Sequence, residues 1–430
     1  MAAGTSDAVI LTLAIAALTL LAVLVKPRGL DEGVAALVGG VAMIVSGAVS
    51  PGDALHVLAS NWNVFLFFLG MLTTTALAEQ AGVFAWLAGW AARRSNGSKR
   101  RLFLNIFALG VVVSTFLTND ATALILTPVV FTVVTALDLD PLPYMFACTF
   151  IADTASLTLP VSNPINLLFA EHLGLGVGDF LRYLLLPSTA AIAVNIGIFL
   201  LLFRTSISGH FDTKPGGDSI GNGPESSHPR YFRFSAAVLV LLAVAFVGGG
   251  LVGIPAGLVA VVAGMVMVVG ASILRAVDAR RFMHDFSWSI FPFIAGFFVV
   301  VRGVEHAGLT APLSALLHGG DGSPLSAALV GTTVSAIGTN VINNVPMALA
   351  TLTTLTTPHL AAGRALVYGA VLGADLGPNI TTTGSLSTML WLLLLRQRGL
   401  NIAPMSYLRL GLIVTPPMLL IGALLIGVTV

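Results

Sequence analysis

Runs of apolar residues long enough to cross a lipid bilayer recur from one end of this chain to the other, and no other feature constrains its fold as much. Residues 8–25 contain no charged side chain. A membrane-spanning helix needs about 20 predominantly apolar residues. On that measure helices are expected at 8–25, 33–50, 62–81, 144–171, 181–203, 234–250, 255–274, 287–307, 365–396 and 407–428. Backbone polar groups in hydrocarbon must bond within their own segment, so the expected class is an all-α polytopic membrane protein with about 10 transmembrane helices. Only 9% of the 430 residues are charged and 56% are hydrophobic, which excludes an ordinary soluble domain. The first run follows no Lys or Arg and precedes no clear small-residue cleavage site. It is expected to remain as a helix rather than be removed as a signal peptide.

Two stretches break the pattern. Segments 102–137 and 324–357 each hold two shorter apolar runs around a polar centre, Thr118-Asn119-Asp120 in one and Thr339 to Asn344 in the other. Each reads as a hairpin, either two short spans or a re-entrant loop, that enters and leaves on one side. With hairpins counted this way and the N-terminus outside, the inside segments hold 17 of the 20 basic residues, leaving Arg182, Arg302 and Arg364. Such an excess is what cytoplasmic loops carry. Both termini are then expected outside.

The polar stretch 205–233, with Gly, Pro, Ser and charge in it, is the one obvious linker and is cytoplasmic on this reading. It separates a first half, 1–204, from a second, 234–430. The residues from Asn61, NWNVFLFFLGMLTTTALAEQAGV, resemble those from Ser287, SWSIFPFIAGFFVVVRGVEHAGL, at a constant offset of 226. Trp62 pairs with Trp288, Gly70 with Gly296 and Glu79 with Glu305. Ser114, Thr118 and Asn119 match Ser335, Thr339 and Asn340 at offset 221, and Ala152-Asp153 matches Ala374-Asp375 at offset 222. Five spans and a hairpin per half make an odd number of crossings, so the second copy is expected to be inverted. Inverted repeats characterise secondary transporters, which bind substrate near the midplane where the copies meet.

The candidate chemistry sits where polarity costs most. Segments 144–171 and 365–396 begin as helix and then meet Pro160, Ser162, Asn163 and Pro164, or Gly377, Pro378 and Gly384. These residues interrupt intrahelical hydrogen bonding. Both segments read as discontinuous helices whose freed amides and hydroxyls can hold a polar solute or ion. Ionisable residues at membrane depth are functional candidates by default, which singles out Asp120, Asp153 and Asp375. Two readings stand for each. It caps a half-helix, or it carries a proton, since burial favours the protonated carboxyl and hydrogen-bond donors favour the carboxylate. The candidate substrate contacts are Thr118, Asn119, Ser162, Asn163, Asn343, Asn344, Thr382, Thr383 and Ser385. Asn343-Asn344 suits a turn on backbone grounds, while its mirroring of Asn119-Asp120 points to substrate contact.

Other residues receive plainer readings. Glu79 and Glu305 fall near helix ends and are expected to snorkel into water; Arg302 and Glu305, three apart, are expected to pair on one helix face, as a structural contact rather than a gate. Trp62, Trp86, Trp90, Trp288 and Trp391 are interface or packing residues. The only lysines are Lys26, Lys99 and Lys214, and no G-x-x-x-x-G-K-[ST] stretch exists, so a Walker-type ATP site is excluded. The energy source is then an ion gradient or another subunit. The eight histidines form no i, i+4 pair, and the single cysteine, Cys148, allows neither a disulfide nor a Cys-built metal site within one chain. Cys148 is read as a small packing residue.

FIADTASLTLPVSNPIN from Phe150, VINNVPMALA from Val341, VLGADLGPNITTTGSLSTMLWL from Val371 and TNDATALILTP from Thr118 closely resemble the bacterial arsenite and antimonite efflux permease family, the membrane subunit of arsenical pumps. The resemblance runs from the first helix to the last. It implies a secondary transporter of the bacterial inner membrane and not an enzyme. Its substrates would be arsenite and antimonite, exported as neutral hydroxides in exchange for protons, with or without a soluble arsenite-stimulated ATPase. No cofactor or nucleic acid is implied. The implied fold has two inverted repeats, two re-entrant hairpins and two broken helices, divided into a scaffold and a moving part. Arsenic trihydroxide is uncharged and offers hydroxyls, which suits Asn, Thr, Ser and peptide groups. Three alternatives stand beside it. A sodium/proton or sodium-coupled anion transporter of the same superfamily would favour serine-asparagine-threonine signatures where this chain has Ser162-Asn163-Pro164 and Gly384-Ser385-Leu386. An intramembrane aspartyl protease would use Asp153 and Asp375, and a passive channel would need neither.

Overall fold

Each expected span takes its limits from local stop signals. The computed structural model describes residues 2–211, 228–277, 280, 282–283, 286–308, 310–318, 322–355 and 363–430. Most of the expected linker 205–233, the end of the expected second hairpin at 356–357, and the basic residues Lys214 and Arg281 lie outside them. Among the described residues the fold is helical throughout, apart from an isolated bridge between Ser98 and His210. Eight of these helices are long and apolar enough to cross a membrane. The expected spans at 8–25, 62–81, 181–203, 234–250, 255–274, 287–307 and 407–428 appear as Ala2–Val25, Trp62–Gln80, Leu185–Leu202, Pro229–Leu251, Ala256–Leu274, Ile290–His306 and Pro404–Thr429.

The expected span at 33–50 is shorter, Glu32–Val45. It starts on Asp31, whose carboxylate accepts from the Gly33 and Val34 amides, and it stops before Gly47 in the left-handed region at φ 77°. The two hairpin segments resolve into helical arms, Lys99–Phe116 with Asn119–Ala136, and Pro324–Ile342 with Asn344–Leu355. The two discontinuous segments also divide as their Pro and Gly residues require. Leu142–Ser156 is followed by a tight turn at Pro160–Ser162 and then Pro164–Leu173; Arg364–Leu376 is followed by a turn at Gly377–Ile380 and then Leu386–Gln397. Four short helices were not anticipated from span length: Pro51–Ser60, Val83–Arg94, Val177–Tyr183 and Ala311–His318.

The halves pack reciprocally. Helix Trp62–Gln80 of the first half lies along Ala256–Leu274 of the second, and Ile290–His306 of the second lies along Glu32–Val45 of the first. The crossing points are glycines. A methyl group built on Gly70 would stand 2.1 Å from the Ala260 carbonyl carbon, and one on Gly296 would stand 2.2 Å from the Ala36 carbonyl carbon. Small residues let helix backbones approach this closely. Gly70 and Gly296 are the pair that the offset of 226 aligned, so the same residue does the same work in each half.

Burial sorts the helices into two populations. Pro229–Leu251 and Ala256–Leu274 expose Val240, Leu241, Val244, Val262 and Val269, a lipid-facing surface. The first halves of both broken helices are buried on every side from Pro143 to Ser156 and from Ala365 to Leu376. They sit at the centre, where their breaks meet the hairpin tips.

Candidate functional site

Four interruptions of helix converge in one place. At the first hairpin tip Thr118 is extended, and its hydroxyl accepts from the Ala121 amide at 3.1 Å, starting the second arm. Ser114 and Thr122 clamp the two arms through a 2.7 Å hydroxyl pair. The Asn119 amide donates to Asp153 Oδ1 at 3.1 Å and to Ser387 Oγ at 3.3 Å. Ser387 in turn donates to Asp120 Oδ1 at 2.6 Å. A hydrogen-bonded chain therefore runs Asp120, Ser387, Asn119, Asp153 and crosses between the halves.

At the first break Asn163 caps Pro164–Leu173 by accepting from the Ile165 amide at 3.2 Å. Its own amide reaches across to Asp375 Oδ1. Ser156 donates to the same oxygen at 2.7 Å, and Asn166 donates to Asp375 Oδ2 at 3.1 Å. Asp375 of the second half is thus held by three donors from the first. Ser162 turns away from the centre and donates to the Thr115 carbonyl at 2.6 Å, tying the first broken helix to the first hairpin.

The second tip and second break are bound by backbone contacts. Asn343 ends its helix with φ 75°, and its amide donates to the Thr383 carbonyl at 3.1 Å. The Asn344 amide N–H donates to the Gly384 carbonyl at 2.9 Å. Ser385 caps Leu386–Gln397 by accepting from Thr388 N–H at 3.1 Å. Asn163 and Ser385 therefore perform the same capping task 222 residues apart.

Asn119, Asp120, Asn163, Asn344 and Ser387 line a central pocket of about 30 Å³, closed on its apolar side by Phe68 and Phe293. A first cavity of about 110 Å³ adjoins it and shares Phe68 and Asp120 with it; Thr75, Glu79, Thr118 and Ser287 also line this cavity. A second cavity of about 200 Å³ is lined by Asn61, Phe298, Val301, Arg302, Glu305 and His172, among others, and shares no residue with the pocket. Leu72, Thr75, Ala76 and Glu79 of the first cavity correspond at offset 226 to Phe298, Val301, Arg302 and Glu305 of the second. In the second cavity Arg302 and Glu305 form an ion pair at 2.7 Å, as their spacing predicts.

The donors of the site are largely spent and several acceptors are not. Asp153 Oδ2, Asn166 Oδ1, Asn344 Oδ1 and Asn379 Oδ1 are buried without a hydrogen-bond partner. The orientation of Asn166 is fixed by chemistry, because its amide faces a carboxylate that needs a donor. A buried acceptor left unmade costs about 1–3 kcal/mol. Of these four, Asn344 lines the pocket, where its free acceptor suits a guest that brings a hydroxyl or N–H group. Among the described residues no group of three His, Cys, Asp or Glu side chains comes together to hold a metal ion.

The expected contacts divide accordingly. Asn119, Asp120, Asn163 and Asn344 meet at the pocket, and Thr118 stands beside it in the first cavity. Ser162, Asn343, Thr382, Thr383 and Ser385 lie outside its lining; all five make or border the turns, and Ser162 also links two elements. Asp153 and Asp375 lie in the hydrogen-bond network behind the pocket, with separate side-chain partners. Ser156, Asn166 and Ser387 were not singled out from sequence. Asn166 had a signal, standing three residues beyond Asn163 on the same helical face. Ser387 had a weaker one, lying two residues past the cap Ser385.

Comparison with known proteins decides the family. The family model described as arsenical pump membrane protein matches residues 11–430. The arsenical pump membrane proteins of Yersinia enterocolitica and Escherichia coli K12 are each 35% identical to this chain, over 412 and 417 residues. The matches cover 94% and 95% of this chain, and 95% and 96% of those proteins. The chain belongs to the arsenical pump membrane protein family. As a member of the arsenical pump family it is a multi-pass membrane transporter. A putative arsenical pump membrane protein of Bacillus subtilis is 24% identical over 417 residues, covering 93% of this chain and 94% of its own. The fold is also found in the crystal structure of the Alcanivorax borkumensis YdaH transporter. That match has a TM-score of 0.59, covers 87% of this chain and 86% of the other, and has 16% identity.

Proposed function

We propose that this chain is a secondary transporter that exports trivalent arsenic or antimony, as the neutral hydroxide, from the cytoplasm in exchange for protons. It would sit in the bacterial inner membrane with both termini outside and its two halves inverted. The observation that carries this reading is the central pocket, where two hairpin tips and two helix breaks bring Asn119, Asn163, Asn344 and Ser387 together beside Asp120, with the Asn344 side-chain oxygen unpaired. Arsenic trihydroxide can donate up to three hydroxyl hydrogens to such acceptors and needs no counter-charge. Cys148 is buried in packing and away from the pocket lining, so the metalloid would be held by oxygen and amide contacts. Such a site binds weakly enough to release its cargo.

A pocket of about 30 Å³ holds little more than one or two waters. Substrate entry therefore requires widening toward the first cavity, which already shares Asp120. The reciprocal glycine-packed helices would act as scaffold, and the hairpins and broken helices as the moving part. Exchange of a neutral solute for an inward proton moves net charge, and each charge gains about 2.3 kcal/mol per 100 mV.

The test is arsenite flux in proteoliposomes under an imposed pH difference, with no ATPase present. Flux that follows the proton gradient, ignores sodium and collapses with an uncoupler is the expected result. Flux driven by sodium, or indifferent to the uncoupler, would refute proton exchange and favour the sodium-coupled or channel alternative.

A further inference from the structure

We infer that Asp120 is the side chain at which substrate and proton compete, and that Asp375, chemically the same group, is a fixed latch between the halves. The inference rests on the proton-exchange reading above and divides its labour among three aspartates. Asp120 alone of the three borders both the central pocket and the first cavity, and it is partly exposed there. Water and substrate in that cavity reach it directly. It accepts one hydrogen bond within the site, from Ser387 at 2.6 Å.

Asp375 is placed differently. It is 0% exposed, lines neither the pocket nor the two cavities, and engages Ser156, Asn163 and Asn166 with both oxygens. All three donors come from the first broken helix, while Asp375 belongs to the second. A proton on Asp375 would set an O–H against N–H and O–H donors and part the two breaks. Asp153 stands between these cases, 1% exposed and joined to Asn119.

The ionisable groups facing Asp120 are Asp153, reached through Asn119, and Glu79 across the first cavity. No Lys, Arg or His lines the first cavity or the central pocket among the described residues. As a carboxylate Asp120 accepts a hydroxyl hydrogen from arsenic trihydroxide. Once a solvent proton adds to it, that oxygen becomes a donor, the acceptor is lost, and the substrate leaves. Occupancy by one excludes the other, which is sufficient for exchange.

The experiment measures proton release when arsenite is added to purified, weakly buffered protein in detergent. The unmodified protein is expected to release protons in proportion to arsenite bound. Asp120→Asn, a permanent stand-in for the protonated carboxyl, is expected to bind arsenite more weakly and, at arsenite concentrations that saturate it, to release none. Ser387→Ala, which removes the donor to Asp120, moves the pH midpoint of release. Ser156→Ala, which loosens Asp375, lowers thermal stability and leaves that midpoint in place. Proton release by Asp120→Asn equal to that of the unmodified protein would overturn the assignment while leaving arsenite export standing. So would a midpoint that moves with Ser156→Ala and not with Ser387→Ala. Failure of the unmodified protein to bind arsenite at all would overturn the functional reading beneath, and this assignment with it.

Discussion

Asn163 shows how much a single side chain does at the centre of this molecule. It starts the second half of a broken helix, lines the pocket and donates to Asp375 across the halves. Asn163→Ala removes a cap worth about 1 kcal/mol and a donor to a buried carboxylate worth about 1.5–3 kcal/mol. Thermal unfolding in detergent should show a clear loss, and arsenite flux should fall as well. The more conservative Asn163→Asp keeps the capping oxygen but sets a second carboxylate against Asp375, so it should be the worse of the two for transport. The aspartates were legible in the sequence because a charge at membrane depth is costly enough to need a reason. Their pairing with particular side chains was not. Ser387 and Asp120 are 267 residues apart, and Ser156 and Asp375 are 219 apart, a separation that no local pattern encodes.

At the level of helices the crossing glycines make a sharper prediction. Gly70→Val and Gly296→Val each place a side chain where the facing backbone already stands, and overpacking of this kind costs about 1–3 kcal/mol or more. The two substitutions should destabilise by similar amounts, because their surroundings are reciprocal. Gly248 lies in a helix with open space around it, so Gly248→Ala should be neutral or slightly stabilising by the same assay. The breaks in the two central helices could be read from Pro160, Pro164, Gly377 and Pro378, since those residues act on their own backbone. The helices Pro51–Ser60, Val83–Arg94, Val177–Tyr183 and Ala311–His318 could not, because a search for span-length apolar runs passes over elements of 7 to 12 residues. The same blindness placed five extra residues on the end of Glu32–Val45.

For the molecule as a whole, the two cavities share equivalent residues on Trp62–Gln80 and Ile290–His306, yet only the first adjoins the pocket. If the halves are inverted, Thr75 and Val301 face opposite sides of the membrane. Single cysteines at these two positions, in a Cys148→Ala background, should then react with an impermeant thiol reagent from opposite faces of oriented vesicles. Reaction of both from one face would contradict inversion. The scaffold itself is uneven. Glu32–Val45 has 14 residues, and its counterpart Ala256–Leu274 has 19, giving lengths of about 21 Å and 28 Å. Val38, Val41 and Val45 of the shorter helix face outward at 62%, 50% and 81% exposure, so lipid meets it directly. A hydrocarbon layer of about 30 Å has to dimple on that flank, at a fraction of a kcal/mol per Å of mismatch. Acyl chain length thus becomes a control on turnover, and proteoliposomes of shorter-chain lipid should export arsenite faster than those of longer-chain lipid.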